Sequence, residues 1–284
     1  MKKNKAFFLD TSTQIWRHWD LPEIQDGLKA ELAGKRLDSC IYVLRQYKAT
    51  LLNALIVLYD LALASESLIE VMARSERREV LREALGEGRE GEGKLIRQGA
   101  YRLFRMHPDK LPTKQEVLEM LEKWIEDGWE DFFFEAFHNT ELVDTTGCTR
   151  AADDPKRSPE GYYFPVDATC NKQDPRDCKI REFWDSNKED LRKLSKINYD
   201  SLPRGKVKRH IQKLHEHARI ILKNEKESPQ GQRCSVHMSD AIITIESRRT
   251  TQPSTVHTTD NDFEPIGKCL DVKVQVYKYK PKQK

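Results

Sequence analysis

The sequence predicts an α/β protein: a parallel sheet flanked by helices, carrying a long and mainly helical insertion. Three observations point there. Ala6-Phe7-Phe8-Leu9 is a short, continuously apolar run, the pattern of a strand buried on both faces. The stretch Ser235 to Arg249 has helical apolar spacing at Ala241, Ile242 and Ile245, and a second strand-like run, Ser254 to Thr258, follows it. Between the two ends lies a middle segment that is mainly helical.

The opening strand stops at Asp10-Thr11-Ser12, which reads as a loop of small polar residues. Leu37 to Ile41 reads as a second strand. A long helix then runs to about Ala64, with Leu44, Tyr47, Leu51, Leu55, Leu58 and Ala62 along one face. Ser65 is the expected N-cap of the next helix, which carries Leu68, Ile69 and Met72 and becomes strongly charged from Arg74 to Arg89. Gly86 to Gly93 reads as an exposed break, and helix resumes from Lys94 to Met106, ahead of Pro108. Thr113 and Glu116 have the spacing of a capping box, with Val117, Leu118, Leu121, Trp124 and Ile125 as the apolar stripe behind it.

Thr145 to Asp177 lacks any period and is rich in Gly, Pro, Asp, Thr and Cys, so it reads as a long loop or small irregular subdomain. Helices are expected at Cys178 to Ile197 and Arg204 to Lys226. Asp271 to Tyr279, alternating at Val272, Val274 and Val276 and flanked by lysines, reads as an edge strand. The expected organisation is a core built from residues 1–65 and 235–284, with 66–234 as the insertion and an irregular Cys/Gly/Pro-containing part at about 145–177.

Composition narrows the class. Of 284 residues, 38% are hydrophobic and 33% charged, with a mean hydropathy of −0.75, so a sizeable core sits under a heavily charged surface. No run has the roughly eighteen apolar residues that a membrane span needs. The basic opening turns at once into a strand, without the apolar stretch of a signal peptide, so the expected compartment is the cytoplasm and the six cysteines are expected to be reduced. The net charge of +3 is too small to identify a nucleic-acid partner, and its distribution carries more information.

In a parallel α/β sheet, active residues sit where strands end and loops begin. Asp10 follows the first strand; Asp260 and Asp262 follow Ser254 to Thr258; Asp240 is expected in the first turn of its helix. Taken singly, each is a cap or turn residue, and Asp240 a charge favoured by the helix dipole. Taken together they form a carboxylate cluster at one edge. Clustered carboxylates raise one another's pKa unless a cation neutralises them. Oxygen ligands of this kind suit Mg²⁺ or Mn²⁺, which activate water for phosphodiester hydrolysis.

Three motifs carry a resemblance. Phe8-Leu9-Asp10-Thr11-Ser12, Ser239-Asp240-Ala241-Ile242-Ile243 and Val256-His257-Thr258-Thr259-Asp260-Asn261-Asp262-Phe263 resemble, in this order, the acidic motifs of the PIN-domain nucleases. The resemblance covers the two ends of the chain and not its middle. It implies a parallel sheet between helices, a pocket for one or two Mg²⁺ or Mn²⁺ ions, and activity on single-stranded or structured RNA, hence an endoribonuclease. Asp10 and Asp260 would be metal ligands, Asp240 a ligand directly or through water, and Asp262 a support of the site. Thr11, Ser12 and Thr259 would position water or phosphate.

One position departs from the family's pattern. In Ser39-Cys40-Ile41-Tyr42-Val43-Leu44-Arg45-Gln46-Tyr47, Gln46 stands where the family carries a glutamate. An amide still hydrogen-bonds water but brings no charge. A natural or engineered replacement fits this context better than a substitute acid such as Glu66 or Glu70. Two alternatives to the ribonuclease follow: a degenerate nucleic-acid-binding module without catalysis, and a nuclease for structured DNA.

The helix expected from Arg204 carries a basic face. Arg204, Lys206, Lys208, Arg209 and Lys213 are candidates for tracking a phosphate backbone, against the plainer reading of a solvated surface. His210, His215 and His217 read as surface residues. Cys148, Cys170 and Cys178, with His138, Cys234 or His237 as a fourth ligand, could form a structural zinc site, but with no CxxC pair, free thiols are the first reading. The aromatic run of Trp129, Phe132, Phe133, Phe134 and Phe137 reads first as core or as an interface for a protein partner on the insertion, and second as a base-stacking platform.

Overall fold

The structure is a computed structural model that describes residues 6–77, 79–81, 90–107, 110–147, 155–159, 161–163, 179–223, 232–251 and 254–278. The strands are β1 (Ala6–Leu9), β2 (Arg36–Cys40), β3 (Glu141–Val143), β4 (Lys156–Ser158), β5 (Gly161–Tyr163), β6 (Thr255–Thr258) and β7 (Val274–Val276). The helices up to β3 are α1 (Thr11–Trp19), α2 (Pro22–Leu32), α3 (Ile41–Leu63), α4 (Leu68–Glu76), α5 (Glu90–Arg105), α6 (Lys114–Glu126) and α7 (Gly128–Phe137). Those after β5 are α8 (Lys179–Ser186), α9 (Lys188–Leu194), α10 (Lys206–Lys223), α11 (Gln232–Glu246) and α12 (Phe263–Leu270).

Five strands form one sheet in the order β3-β2-β1-β6-β7, and every neighbouring pair is parallel. The apolar run Phe7-Phe8-Leu9 supplies the central strand, paired to β2 with Phe7 opposite Leu37 and to β6 with Phe8 opposite Val256. Successive side chains of a strand point to opposite faces. Phe8 accordingly joins the large helical core, while Phe7 and Leu9 form a smaller cluster with Leu32 of α2 and Leu37 of β2. Both faces of β1 are therefore covered, as its unbroken apolar run requires.

The sheet is not built from the two chain ends alone. β3 comes from within the middle segment and extends the sheet beyond β2, with Ser39 opposite Leu142. Its three residues gave no strand period to read. The same middle segment packs around α3: Leu95, Ile96 and Leu103 of α5 and Val117, Leu121 and Ile125 of α6 share one continuous core with Leu51, Leu55 and Leu58 of α3. Tertiary burial on most sides explains why α3 is apolar over nearly all of its second half, from Leu51 on, rather than along one stripe.

Local signals account for several boundaries. Thr113 and Glu116 do form the capping box that starts α6. Ser67, not Ser65, caps α4 by accepting from the Glu70 amide, whereas the Ser65 hydroxyl turns back to the Leu61 carbonyl at 2.7 Å. The helix expected at Cys178 to Ile197 is broken at Asn187 into α8 and α9. Of the irregular segment, the described part holds the antiparallel pair β4–β5, seated against α3 through Tyr162 and Tyr59. Of the glycine-rich break expected at 86–93, residues 86–89 lie outside the described residues, and α5 already begins at Glu90.

Among the described residues, no helix is long and apolar enough to cross a membrane. Cys40 and Cys269 are free thiols, whereas Cys148, Cys170 and Cys178 lie outside the described residues, as do the side chains of Cys234 and His237. His138 is exposed and stacks on Phe134. In the aromatic run, Phe132 and Phe137 are core residues, Phe134 is exposed, and the side chains of Trp129 and Phe133 lie outside the described residues.

A candidate acidic cleft at the carboxyl edge of the sheet

Because β1 and β6 are parallel neighbours, the residues that follow them emerge at the same edge. Asp10 is not in a loop, as its small polar neighbours suggested. It is the N-cap of α1, and its Oδ1 accepts from the Thr13 amide at 2.8 Å. The other oxygen, Oδ2, accepts from Ser12 at 2.7 Å and from Thr258 at 2.9 Å. Asp10 is 3% exposed, and burial pushes its pKa up to about 6 against the pull of these donors, the Thr13 amide foremost.

The hydroxyls knit the two strand ends together. Thr259 gives Ser12 two hydrogen bonds, from Oγ1 at 2.7 Å and from its amide at 3.1 Å, and Ser12 in turn donates to Asp10. The Asp260 amide donates to Thr258 Oγ1 at 2.9 Å, and Asp260 Oδ1 accepts from the Asp262 amide at 3.3 Å. The tight turn after β6 thus sets Asp260 and Asp262 beside the end of β1.

Asp240 arrives differently from expectation. It is the ninth residue of α11 rather than part of its first turn, so the helix dipole gives it no special support. Its neighbours Ser239, Ala241, Ile242 and Ile243 are all buried, and this stretch of α11 gives the cleft the half-buried Asp240 and, one turn on, Ile243. The boundary was misread because the first turns of α11 have no apolar period.

A cleft of about 740 Å³ is lined by Asp10, Asp240 and Asp260 together with Gln46 of α3. Thr11 donates to Gln46 Oε1 at 2.6 Å, which fixes the amide at the cleft wall. Glu66 and Glu70 do not line it: Glu70 is bound to Arg74 at 3.0 Å and to the Glu66 amide at 2.8 Å. Ser12, Ile15 and Trp16 of α1 and Lys94, Leu95 and Gln98 of α5 also line it.

His210 is the site residue that the sequence reading set aside as surface. It lies on α10 one turn after Lys206, and its Nε2 is 3.2 Å from Asp240 Oδ2. That contact is close but not aligned as a hydrogen bond, since Nε2 has no well-oriented acceptor. Burial disfavours the imidazolium, yet Asp240, with Asp262 and Asp260 beyond it, outweighs burial and raises the His210 pKa above its ordinary value. The signal was available as the spacing of four between Lys206 and His210, which puts both on one helix face.

Ligand atoms of His210, Asp240 and Asp262 lie within 4.8 Å of one another, as the one group of potential metal ligands among the described residues. Asp262 is 3% exposed, and its Oδ1 is buried without a hydrogen-bond partner. Burial first, then the neighbouring Asp260 carboxylate, raises its pKa to about 6. Two buried carboxylates held above their ordinary pKa, one with an orphaned oxygen, form a site short of positive charge. The donor set fits a hard divalent cation.

The basic candidates divide. Lys206 lines the cleft, and Lys208 is ion-paired with Asp200 at 3.2 Å. Arg204, Arg209 and Lys213 are exposed and do not line it. Comparison with protein-family models, with curated proteins and with solved structures found no match to this chain in any of the three.

Proposed function

We propose that the protein is a divalent-metal-dependent phosphodiesterase, an endoribonuclease related to the PIN-domain nucleases. The observation that carries this reading is the meeting of Asp10, Asp240 and Asp260 in one cleft, with the buried Asp262, one of its oxygens orphaned, within 4.8 Å of the Asp240 carboxylate. The parallel sheet between helices and the acidic edge are what the three motifs imply. The motifs imply Asp10, Asp240 and Asp260 as ligands with Asp262 as support, but the ligand atoms that lie within 4.8 Å of one another belong to His210, Asp240 and Asp262, so Asp240 and Asp262 would hold Mg²⁺ or Mn²⁺, with Asp10 and Asp260 as the further carboxylates of the same site. Such a cation supplies a lowered pKa for water and neutralises charge on the phosphoryl group.

The chain's own groups do the rest. The Thr13 amide and the Ser12 and Thr258 hydroxyls fix both oxygens of Asp10, so the carboxylate is oriented before any ligand arrives. Lys206 at the cleft offers a cation to the strand's phosphates. The half-buried Trp16, with Lys94 Nζ 3.8 Å from its ring centroid, gives a base a flat apolar wall. Single-stranded RNA needs both, because its bases are unstacked and its backbone is charged.

A specific observation favours a second reading. Gln46, bound by Thr11 at the cleft wall, leaves the site one carboxylate short of the family's pattern, which is what a nucleic-acid-binding module with lost catalysis would carry. DNA in place of RNA is a variant of the first reading. One experiment separates them: labelled single-stranded RNA, and DNA of the same sequence, incubated with Mn²⁺ or Mg²⁺, with EDTA and Asp10→Asn as controls. Metal-dependent cutting lost in Asp10→Asn supports the nuclease. Binding without cutting, in wild type and in Gln46→Glu alike, would move the protein to the binding-module class.

A further inference from the structure

A second cleft, of about 610 Å³, opens next to the acidic one and has the opposite character. It is lined by four permanent cations, Arg17, Lys29, Arg102 and Arg105, against two carboxylates, Asp20 and Glu135. Asp20 is already engaged by Lys94, so it offers little neutralisation to the arginines. Arg17 is 8% exposed, and the hydrogen bond recorded for its guanidinium is a long one, 3.5 Å to Gln14 Oε1. Arg102 lies over the faces of Trp19 and Phe132, with centroid distances of 5.0 and 5.2 Å; Glu135 attracts it electrostatically, but burial outweighs that attraction and holds its pKa below the ordinary value. His18 Nε2 is buried at the same cleft with no hydrogen-bond partner.

A buried guanidinium without a carboxylate is costly, and proteins keep one where an anion completes it. Here the donors converge from three separate elements: Arg17 and His18 from α1, Lys29 from α2, and Arg102 and Arg105 from α5. Burial together with the surrounding cations depresses His18 to about pKa 3, so at neutral pH it is an uncharged donor or acceptor rather than a further cation. Planar, forked arginines with a neutral imidazole suit the tetrahedral oxygens of a phosphate better than a single carboxylate.

The two clefts share a wall. Lys94, Leu95 and Gln98 of α5 line the acidic one, and Arg102 and Arg105, one and two turns further, line the basic one. On α1, Trp16 belongs to the first and Arg17 to the second, and Asp20 borders both. We propose that the basic cleft is a phosphate-binding pocket, formed by Arg17, Arg102 and Arg105, that takes a phosphate group from outside the acidic site. The phosphate is carried either on the end of a nucleic-acid strand crossing the acidic cleft or on a free phosphorylated small molecule. The strand-borne case rests on the proposed function; the pocket itself does not.

The test uses the full chain in EDTA, so that cleavage plays no part. Inorganic phosphate is titrated against the melting temperature of wild type, Arg17→Gln, Arg105→Gln and Asp10→Asn. The expected result is a phosphate-dependent rise in wild type and Asp10→Asn that is lost in both arginine variants. Arg105 is exposed, so its variant reads the pocket even where Arg17→Gln disturbs folding. A short RNA is then bound with a 5′ phosphate and with a 5′ hydroxyl. A preference of about tenfold for the phosphorylated end, abolished by Arg105→Gln, supports the pocket with the strand as its source, being about 1.4 kcal/mol of binding. A phosphate response without an end preference supports it with a small molecule as the source. No response to phosphate or RNA end, or one unchanged in both arginine variants, overturns the pocket. Absence of RNA cleavage in the separate assay with Mn²⁺ or Mg²⁺, with the phosphate response in EDTA intact, counts against the nuclease alone.

Discussion

Thr258 and Asp10, 248 positions apart in the chain, are joined by a hydrogen bond of 2.9 Å from the threonine hydroxyl to Asp10 Oδ2. The bond crosses from the end of β6 to the end of β1 and ties the two ends of the sequence at the point where the carboxylates gather. It exists because parallel pairing of β1 with β6 puts Leu9 opposite His257, leaving the next residue of each strand at the same edge. Removing it should therefore act on Asp10 before it acts on the fold. Thr258→Val keeps the shape, deletes one donor to the carboxylate together with the acceptor of the Asp260 amide, and is expected to raise the Asp10 pKa further above about 6. Carbon-detected titration of the Asp10 carboxyl by NMR in metal-free buffer measures this. An unmoved pKa would mean that the Ser12 hydroxyl and the Thr13 amide alone hold the charge.

Asp10 also makes the fold pH-dependent. Its folded pKa of about 6 lies above the ordinary aspartate value of 3.8, so the folded state binds the proton more tightly. Its contribution is fully present below the unfolded value and is lost as pH rises through about 6, amounting to about 3 kcal/mol at roughly 1.4 kcal/mol per pKa unit. Asp10→Asn removes that burden. Without metal at pH 7.5 the variant should be more stable than wild type by about 1–3 kcal/mol, with the difference fading towards pH 4. Thermal melts across this range check it, and a less stable variant at pH 7.5 would show that the lost hydrogen-bond geometry outweighs the relieved charge.

His210 should report on the acidic cluster. Asp240 is its nearest carboxylate, at 3.2 Å, and holds its pKa up against burial. In Asp240→Asn, burial is left opposed only by the more distant Asp262 and Asp260, so the His210 pKa is expected to fall. A raised histidine contributes stability below its unfolded pKa and loses it as pH rises through the folded one. The wild type should therefore lose this contribution at higher pH than the variant. Proton NMR titration of the His210 ring, with and without Mg²⁺, is the measurement. Mg²⁺ should lower the wild-type pKa, because a cation among the carboxylates takes over the neutralising role of the imidazolium.

The central strand and the long helix α3 could be read from the sequence because their cause is local. An unbroken apolar run can only be a strand buried on both faces, and Leu51, Leu55 and Leu58 repeat at helical spacing. Asp10, Asp240 and Asp260 were legible as a group from order alone, since parallel strands deliver their ends to one edge. What escaped has a tertiary origin. β3 is three residues long and becomes a strand because Cys40 and its neighbours offer an open edge. His210 matters because α10 crosses beside α11, which nothing in its own helix announces. The basic cleft gathers Arg17, Lys29 and Arg102 from separate elements, so no window of sequence contains it.

The close approach of α12 to β7 gives a purely structural prediction. A Cβ built on Gly267 of α12 would lie 2.3 Å from Val274 Cγ2 and 2.8 Å from the Val272 carbonyl oxygen. The helix can approach β7 this closely only without a side chain there, and Asp271, at φ 57°, turns the chain sharply between them. Gly267→Ala is expected to cost about 1–3 kcal/mol by overpacking. Val274→Ala in the same chain should recover part of that, because it removes the nearer clash and leaves the backbone one. Urea melts of the single and double variants decide whether the loss comes from this contact.

Lys206 and Lys208 sit two residues apart on one basic helix and should behave differently. Lys206 lines the acidic cleft, whereas Lys208 is held by Asp200 at 3.2 Å. Each phosphate neutralised by a lysine releases counterions, and for single strands each such contact adds about 0.7 to the slope of log K against log salt. Lys206→Ala should therefore weaken RNA binding and lower the slope by roughly that amount, while Lys208→Ala should leave the slope nearly unchanged. Binding of a labelled single strand to Asp10→Asn protein, in EDTA and over a range of salt, measures both without cleavage. Equal slopes for wild type and Lys206→Ala would take the strand away from this face of α10. A loss confined to Lys208→Ala would place it on the opposite side of the helix, where the acidic cleft could not reach the backbone it holds.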